Sequence, residues 1–297
     1  MAETHFNKIA LIGIGLIGSS LARVIRQKNL AETISIMTRS QATLDEARKL
    51  DLGDEYSTDY GDVVRHADLI IVSVPVGASA SVAKDINGHA CTVDVADPQS
   101  VADGFASARQ QHGQERILVN CAGIGIAMKT VSRDRNTGDV RMHDLGAFSK
   151  TIAINLIGTF NCIAHAASGM VDLDPVTEDG ERGLIVNTAS VAAEDGQIGQ
   201  AAYSASKGGI KGMTLPIARD LSRDGIRVNS IMPGLFKTPL FEGLPEEAVK
   251  ALSASVPFPA RLGRPEEFAA LVEHICVNEM LNAESIRLDG AIRMAPK

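Results

Sequence analysis

The sequence predicts an α/β protein built on a doubly wound parallel β-sheet. Short apolar runs recur along the chain, and several end at glycine or at a small polar residue before a helix-forming stretch, as over residues 8–13, 117–123 and 183–188. Such runs are typical of strands buried in a parallel sheet, and the helical stretches between them supply the crossovers that parallel strands need. The 297 residues are enough for one large domain of this class or two small ones.

The composition indicates a globular protein of ordinary polarity. Hydrophobic residues make up 45% and charged residues 22%, and the formal net charge is −7. The negative charge argues against a nucleic-acid partner or an anionic membrane surface. The four cysteines (Cys91, Cys121, Cys162 and Cys276) lack zinc-ligand spacing, so we expect reduced thiols and no metal site. A polar N-terminus and the lack of an 18-residue apolar run predict a cytoplasmic protein without a transmembrane helix.

The first strand candidate, residues 8–13, leads into a glycine loop. Gly13, Gly15 and Gly18 form the pattern GxGxxG between this strand and a helical stretch over residues 19–29. In a dinucleotide-binding fold the first glycine allows a tight turn, the second a close approach of the pyrophosphate, and the third close packing of helix on strand. We therefore predict a Rossmann-type sheet that binds a dinucleotide with its phosphates at the helix N-terminus.

The end of the second strand candidate, residues 33–39, bears on the choice of cofactor. Thr38 and Arg39 occupy the place where an NAD-selective fingerprint carries an acidic residue for the ribose 2′-hydroxyl. An arginine there suits a 2′-phosphate and favours NADP. The alternative is an arginine that only solvates the loop. Ser40 can cap a helix over residues 41–50, and residues 67–76 predict another buried strand.

A tyrosine and a lysine in the second half of the chain form a candidate catalytic pair. Tyr203 and Lys207 are four residues apart and therefore share one helix face. A nearby ammonium favours the phenolate, so the pattern predicts a tyrosine pKa below its usual value of about 10 and a general acid/base. Ser190 follows the apolar run 183–188, at the strand end where parallel sheets place ligands. The alternative is an ordinary surface Tyr–Lys pair.

The catalytic residues and the runs around them, residues 187–193 and 202–209, resemble the short-chain dehydrogenases/reductases. The similarity runs from about residue 83 to the C-terminus. The branch it resembles is the type 2 3-hydroxyacyl-CoA dehydrogenases, also described as 17β-hydroxysteroid dehydrogenase type 10. The resemblance implies an NAD(P)-dependent oxidoreductase that interconverts a secondary alcohol and a ketone. It further implies an acyl-CoA or hydroxysteroid-like substrate, NAD as the cofactor and a homotetramer.

The resemblance also assigns cofactor contacts to two strand ends. Residues 89–95 are similar to the third strand of the family, in which Asp94 meets the adenine amino group and Val95 packs on the ring. Residues 117–123 match the end of the fourth strand, where Cys121, in place of the usual asparagine, precedes Ala122 and Gly123. These small residues allow the backbone to lie against the adenosine ribose.

Further assignments concern the catalytic relay and the nicotinamide. The family uses the position of Asn155 in a water-mediated proton relay to the lysine, whereas the residues alone also permit a buried amide bonded to backbone. The turn after strand 226–233 holds the nicotinamide carboxamide in the family, through Pro233, Gly234, Phe236 and Thr238. In addition, residues 238–258 predict a polar lid and residues 133–144 a solvated, irregular loop. A final helix opens at residues 260–267, and residues 286–291 predict the last strand.

The N-terminal segment resembles a different family. Its loop, residues 13–23, and its strand ending at residues 74–78 are similar to the cofactor-binding half of prephenate or cyclohexadienyl dehydrogenase. The later catalytic histidines and helical dimerisation domain of that family do not appear in this chain, which disfavours prephenate chemistry. The chain thus looks like a fusion of a half-Rossmann unit, residues 1–80, with a short-chain dehydrogenase core, residues 81–297, expected to merge into one domain.

The two resemblances conflict over the sheet. The prephenate-type half places strand 69–74 beside strand 9–13, where the short-chain dehydrogenase sheet requires strand 117–122. We therefore expect either one displaced strand–helix unit or a small separate N-terminal sheet. The same conflict, with the altered glycine loop, motivates a second hypothesis of a dinucleotide-binding protein without turnover.

Overall fold

The chain folds into two compact units, residues 1–91 and 92–297. The computed structural model describes residues 6–12, 22–23, 25–27, 30–67, 69–72, 91–237 and 246–296. Four predicted cofactor residues lie outside this part of the chain: Gly13, Gly15, Gly18 and Thr238.

The first unit contains a four-stranded parallel sheet with the order β3-β2-β1-β4. Its described elements are β1 (Phe6–Ile12), β2 (Ala31–Met37), α1 (Gln41–Lys49), β3 (Glu55–Ser57), α2 (Tyr60–Val64) and β4 (Leu69–Val72). Strand β4 pairs with β1, so the N-terminal strands have the arrangement expected from the prephenate-type half and form a sheet of their own.

Apolar side chains cover both faces of this first sheet. On one face Ile9, Leu11 and Ile36 pack with Leu44 from α1, and residues of the opposite parity in β1 and β2 pack with α2 on the other. Alternation between the faces follows from the two-residue period of a strand. Helix α1 begins at the predicted cap, because the Ser40 hydroxyl accepts the Thr43 N–H at 3.3 Å.

The second unit contains another four-stranded parallel sheet, with the order β10-β9-β8-β5. Its strands are β5 (Ile117–Asn120), β8 (Gly183–Thr188), β9 (Ile226–Pro233) and β10 (Ser285–Leu288), and a hairpin is formed by β6 (Val131–Arg133) and β7 (Val140–Met142). The helices are α3 (Pro98–His112), α4 (Leu145–Ile152), α5 (Gly158–Met170), α6 (Ala201–Asp220), α7 (Glu246–Ala254) and α8 (Pro265–Val277). A π-helical turn, Ala153–Ile157, joins α4 to α5.

Helices cover both faces of the second sheet. On one face Met170 from α5 and Ile217 from α6 share a buried cluster with Ile185 and Val228. On the other face Ile275 from α8 packs with other residues of β8 and β9. The predicted doubly wound α/β fold class is therefore confirmed.

The helical stretch Leu145–Met170 spans 26 residues and is long and apolar enough to cross a membrane, judged by length and composition alone. The central helix of a globular α/β protein meets the same criterion. Here Ile163, Ala166 and Met170 of this stretch belong to the buried cluster beneath β8 and β9, whereas Ile157 and Phe160 are exposed, so one face of the stretch packs on the sheet.

Two local predictions in the second unit were wrong. Residues 91–95 of the predicted strand 89–95 are not a strand, because the Asp94 N–H donates to the Ser100 hydroxyl at 2.9 Å instead of to a neighbouring strand. The predicted irregular loop 133–144 contains the turn and the second strand of the β6–β7 hairpin, and this turn is closed by Asp134 and by Gly138 in a left-handed conformation (φ +77°). The segment predicted as a lid also contains helix α7.

A buried arginine ties β9 to the end of α8. Arg227 donates to the carbonyls of Ile275 and Leu281 at 2.8 and 2.9 Å and pairs with both carboxylate oxygens of Glu181, at 2.9 and 3.2 Å. The side chains of this pair are 8% and 14% exposed. A cation beside the carbonyl end of a helix also opposes the negative end of the helix dipole.

We expect Arg227→Met to lower the free energy of unfolding by about 3–5 kcal/mol, because it leaves the Glu181 carboxylate buried and unpaired. Urea denaturation measures the loss. The matched control is Arg141→Met, which breaks an exposed pair with Asp134 and is expected to cost less than about 1 kcal/mol. Equal losses in the two variants would contradict the assigned role of Arg227.

Candidate active site

The carboxyl end of β8 positions Ser190. The chain leaves β8 at Thr188, and Ser190 adopts an extended conformation before a short 3₁₀ turn, Val191–Ala193. The buried Ser190 hydroxyl accepts the Ala192 N–H at 3.1 Å. This local cap fixes the direction of the serine side chain at the strand end.

Helix α6 brings Tyr203 and Lys207 to Ser190. Both residues lie in the first two turns of the helix, and the Lys207 ammonium is 5.9 Å from the centroid of the tyrosine ring. Tyr203 forms a hydrogen bond with Ser190. The structure thus brings together the three residues that the sequence grouped by motif.

Lys207 is a nearly fully buried ammonium, with 4% of the residue exposed. Its Nζ donates to the Thr188 carbonyl at 2.6 Å, which joins α6 to the last residue of β8. Burial lowers the pKa of Lys207 to about 8, because the charged form loses water, while the nearby Cys121 thiol acts in the opposite direction.

The predicted lowering of the Tyr203 pKa was wrong. Burial raises the pKa of the tyrosine, and the hydrogen bond with Ser190 opposes that effect only in part. The ammonium is directed to the Thr188 carbonyl, and loss of solvent around the phenol is the larger influence. The phenol is therefore the favoured form of Tyr203 at neutral pH.

Asn155 is fully buried in the π-helical turn between α4 and α5. Its Oδ1 accepts the Ile124 N–H at 2.8 Å, and its Nδ2 donates to the Ile124 carbonyl at 2.9 Å and to the Ser206 hydroxyl at 3.0 Å. The side chain therefore fixes the loop after β5 to α6. This is the backbone-bonded amide that the residues alone permitted, and the proton relay stays a prediction.

The end of β5 lies close to Lys207. A β-carbon at Gly123 would be 3.3 Å from Asn155 Oδ1 and 3.5 Å from Lys207 Nζ, so a larger residue would crowd both polar groups. The Cys121 sulfur accepts a hydrogen bond from the Thr188 hydroxyl at 3.6 Å. Cys121, Ala122 and Gly123 are all exposed along this edge.

The other described cofactor candidates occupy two places in the second unit. Asp94 is exposed, and Val95 packs against Gly158 at the start of α5. At the end of β9, the Gly234 N–H donates to the Leu288 carbonyl at 3.0 Å, next to Pro233. Further along this turn, the Phe236 ring packs against Gly263.

Sequence reasoning missed two partners in this site. The Thr188 carbonyl, which accepts from Lys207, is a backbone group and leaves no signal in the side-chain pattern. Ser206 bonds to Asn155 across 51 residues of chain. Its place next to Lys207 on the helix was the only available signal. Within the described residues, no group of three or more histidine, cysteine or acidic side chains could hold a metal ion.

Two family models match the chain. The short chain dehydrogenase model matches residues 63–248, and the model of the coenzyme F420-dependent NADP oxidoreductases matches residues 8–98. The two ends of the chain thus resemble different dinucleotide-dependent families, as expected for a fusion.

Curated relatives resemble most of the chain. The 3-hydroxyacyl-CoA dehydrogenase type-2 of Mus musculus is 49% identical over 233 residues, which cover 77% of this chain and 87% of the relative. The (3R)-3-hydroxyacyl-CoA dehydrogenase of Rattus norvegicus is 33% identical, over 60% of this chain and 63% of the relative. The crystal structure of the 3-hydroxyacyl-CoA dehydrogenase type-2 from Mycobacterium avium superposes with a TM-score of 0.63, at 33% identity and 98% coverage of both chains.

We expect Lys207→Met to raise the free energy of unfolding at pH 7 by as much as about 1.5 kcal/mol. The depressed pKa corresponds to a penalty of about 3 kcal/mol for the buried ammonium, and the lost charge-assisted hydrogen bond to Thr188 offsets about 1.5–3 kcal/mol of it. Between pH 8 and 10.5 the unfolded wild-type chain binds the extra proton, so wild-type stability rises with pH there. The advantage of the variant therefore shrinks across this window.

Urea denaturation at pH 7 and pH 10 measures this effect. The exposed Lys129 provides the control, and Lys129→Met is expected to change stability by less than about 0.5 kcal/mol at either pH. A Lys207→Met variant less stable than wild type at pH 7, with no dependence on pH, would show that burial of the ammonium carries no penalty.

Proposed function

Since the chain belongs to the short-chain dehydrogenase family, we propose that it interconverts a 3-hydroxyacyl-CoA and the corresponding 3-ketoacyl-CoA. Family membership makes it an oxidoreductase that uses a nicotinamide dinucleotide to interconvert alcohols and ketones. The observation that carries the proposal is the grouping of Ser190, Tyr203 and Lys207 at the carboxyl end of β8. The substrate class rests on the relatives, and hydroxysteroids are the next class that the resemblance suggests.

Tyr203 and Ser190 have different roles in the proton transfer. The Tyr203 hydroxyl exchanges a proton with the substrate oxygen, while the Ser190 hydroxyl donates a hydrogen bond to that oxygen and orients it. A raised tyrosine pKa means that Tyr203 carries its proton at neutral pH and is ready to donate it to a ketone. Oxidation of the alcohol needs the phenolate, so its rate rises with pH.

The donor set of the site fits a nicotinamide dinucleotide. An ammonium has three N–H donors, and Lys207 gives one to the Thr188 carbonyl. The adjacent Gly123 leaves room beside the ammonium that a β-carbon would fill. We propose that Lys207 binds the hydroxyl groups of the nicotinamide ribose. A bound nicotinamide would accept the hydride in oxidation of the alcohol and, in its reduced form, would donate it in reduction of the ketone.

The oligomeric state and location stay predictions. Exposed apolar side chains on α5 and α6, Phe160 and Leu215, together with Ile157 in the π-helical turn, support a homo-oligomer that covers them. We propose the cytoplasm as the location, because the four cysteines are free thiols, as is usual for proteins of a reducing compartment.

We expect Tyr203→Phe to lower kcat by about 10²–10⁴-fold, because it removes the group that exchanges the proton. Absorbance at 340 nm with NAD or NADP and a 3-hydroxyacyl-CoA measures turnover, and fluorescence titration with NADH measures cofactor binding, which is expected to be unchanged. Tyr60→Phe, which removes a hydroxyl in the first unit, is the control and is expected to keep full activity.

Retained turnover in Tyr203→Phe would contradict the assignment of Tyr203 as the group that exchanges the proton. A folded wild-type protein that binds a dinucleotide but reduces neither cofactor with any hydroxyacyl substrate would instead favour the second function, a dinucleotide-binding protein without turnover. The altered spacing of the N-terminal glycine loop is the observation behind that alternative.

We propose NAD as the principal cofactor, with NADP also accepted through Arg39. NAD follows from the resemblance to the type 2 branch. Arg39 is exposed just beyond the carboxyl end of β2, where a 2′-phosphate binds in dinucleotide folds. The family model that matches this region is that of NADP oxidoreductases.

We expect Arg39→Asp to weaken NADPH binding about tenfold relative to NADH, because it removes a charge-assisted hydrogen bond to phosphate. Fluorescence titration gives both dissociation constants. Arg65→Asp, at another exposed arginine of the first unit, is expected to leave their ratio unchanged. An unchanged ratio in Arg39→Asp would mean that this arginine only solvates the loop.

A further inference from the structure

A dense ionic cluster surrounds Arg287 on the last strand, β10. Its guanidinium donates to Glu194 at 2.6 Å, to Asp195 at 2.7 Å and to Asp289 at 2.8 Å. A fourth hydrogen bond reaches the Ile292 carbonyl at 3.0 Å. The Arg287 side chain is 17% exposed, and its contacts with Asp195 and Asp289 are part-buried and more shielded from water than surface ion pairs, whereas Glu194 is 37% exposed.

Two of these carboxylates lie at the end of the turn that Ser190 begins. The Ala193 N–H donates to the Ser190 carbonyl at 3.0 Å, and the Asp195 N–H donates to the Val191 carbonyl at 2.8 Å. Backbone bonds therefore connect Ser190 to Asp195 within six residues. A guanidinium that fixes the acidic end of this turn also fixes the position of the serine.

The same cluster reaches the helix that carries Tyr203. Glu194 pairs with Lys211 of α6 as well as with Arg287. Lys211 lies eight positions after Tyr203 on this helix. Glu194 is thus a common partner for the helix of the tyrosine and for the arginine that holds the turn of the serine.

A third branch of the cluster supports the turn at the end of β9. A β-carbon at Gly234 would lie 2.8 Å from the Asp289 β-carbon, so Asp289 packs directly against this glycine. Gly234 is one of the residues predicted to hold the nicotinamide carboxamide. Arg287 therefore contacts acidic residues of the turn that follows Ser190 and also Asp289, which packs against the predicted nicotinamide-binding turn at Gly234.

We propose that Arg287 is a positioning residue for the dehydrogenase reaction, because it holds the Ser190 turn in place relative to the Tyr203 helix. This inference rests on the proposed function. An arginine suits the role, since its planar fork can bind several carboxylates in fixed directions, whereas a lysine ammonium is a point charge on a flexible stem. Arg287 touches neither Ser190 nor Tyr203 and acts through the turn.

The first test compares Arg287→Gln and Arg287→Lys with a matched control. Arg109→Gln breaks another part-buried arginine cluster of the second unit, in which Arg109 bonds to Glu115 and to the His165 carbonyl. We expect kcat to fall at least about tenfold in both Arg287 variants, since small misplacements of reacting groups have effects of that size. KM for the hydroxyacyl-CoA is expected to change less than about twofold, and the control is expected to keep its kcat.

The pH dependence of activity distinguishes a role of Arg287 in positioning Ser190 from a general loss of structure. In the free enzyme the hydrogen bond from Ser190 lowers the Tyr203 pKa. A displaced Ser190 therefore moves the pH profile of kcat/KM for alcohol oxidation, which reports the groups of the free enzyme, to higher pH in the Arg287 variants. The other titratable groups near the phenol are Lys207 on the same helix and Cys121, which acts on Lys207. Neither contacts Arg287, so the shift reports on Ser190.

A milder variant keeps the test decisive if Arg287→Gln fails to fold. Asp195→Asn removes one ionic contact of the cluster and is expected to lower kcat in the same direction by a smaller factor. Added to Arg287→Lys, it is expected to cause little further loss, because both changes act on the same turn. Wild-type kcat and pH profile in Arg287→Lys, or an equal loss of kcat in Arg109→Gln, would overturn the proposal.

If the proposed function is wrong, the wild-type protein has no activity to compare, and a different measurement tests the role of Arg287. If wild-type protein shows no turnover while folded, the positioning claim is tested by hydrogen exchange of the amides of residues 191–196. We expect faster exchange in Arg287→Lys than in wild type and Arg109→Gln. Equal exchange in all three proteins would overturn the inference without reference to activity.

Discussion

The buried ammonium of Lys207 is the constraint on which the catalytic unit depends. An ammonium with so little contact with water needs strong acceptors, and the Thr188 carbonyl at the end of β8 is one of them. This bond requires α6 to cross the end of β8, and that crossing sets Tyr203 beside Ser190. The depressed pKa of the lysine shows that the same arrangement opposes folding, as in many sites where function and stability conflict.

Polar contacts between distant segments keep this arrangement in place. Asn155 joins the loop after β5 to Ser206 of α6, and Arg287 joins β10 to the turn after Ser190. The Asn155 contacts and the contact of Arg287 with Asp195 are buried or part-buried, where a hydrogen bond to a fixed partner restrains geometry more than it does in water. The site is therefore defined by segments from most of the second unit, and its chemistry depends on their relative positions.

The two ends of the chain each satisfy the rules of a parallel α/β sheet. Strand β1 pairs with β2 and β4 in the first unit, and β8 pairs with β5 and β9 in the second. Each sheet has apolar clusters on both faces, so each unit buries its own core. The sequence analysis left two arrangements open, a displaced strand–helix unit or a separate N-terminal sheet. Among the described strands, the N-terminal ones form a separate sheet.

Local sequence determined most strands of the two parallel sheets, helices α1, α6 and α8, and the grouping of Ser190, Tyr203 and Lys207, because periodicity, caps and short motifs act over a few residues. Tertiary structure decided the direction of the Tyr203 pKa, since burial is the sum of contacts from several distant elements. It also decided that residues 91–95 form no strand, because a strand exists only through a partner elsewhere in the chain. The partners of Arg287 in the Ser190 turn lie more than 90 residues away, and only folding brings those charges together.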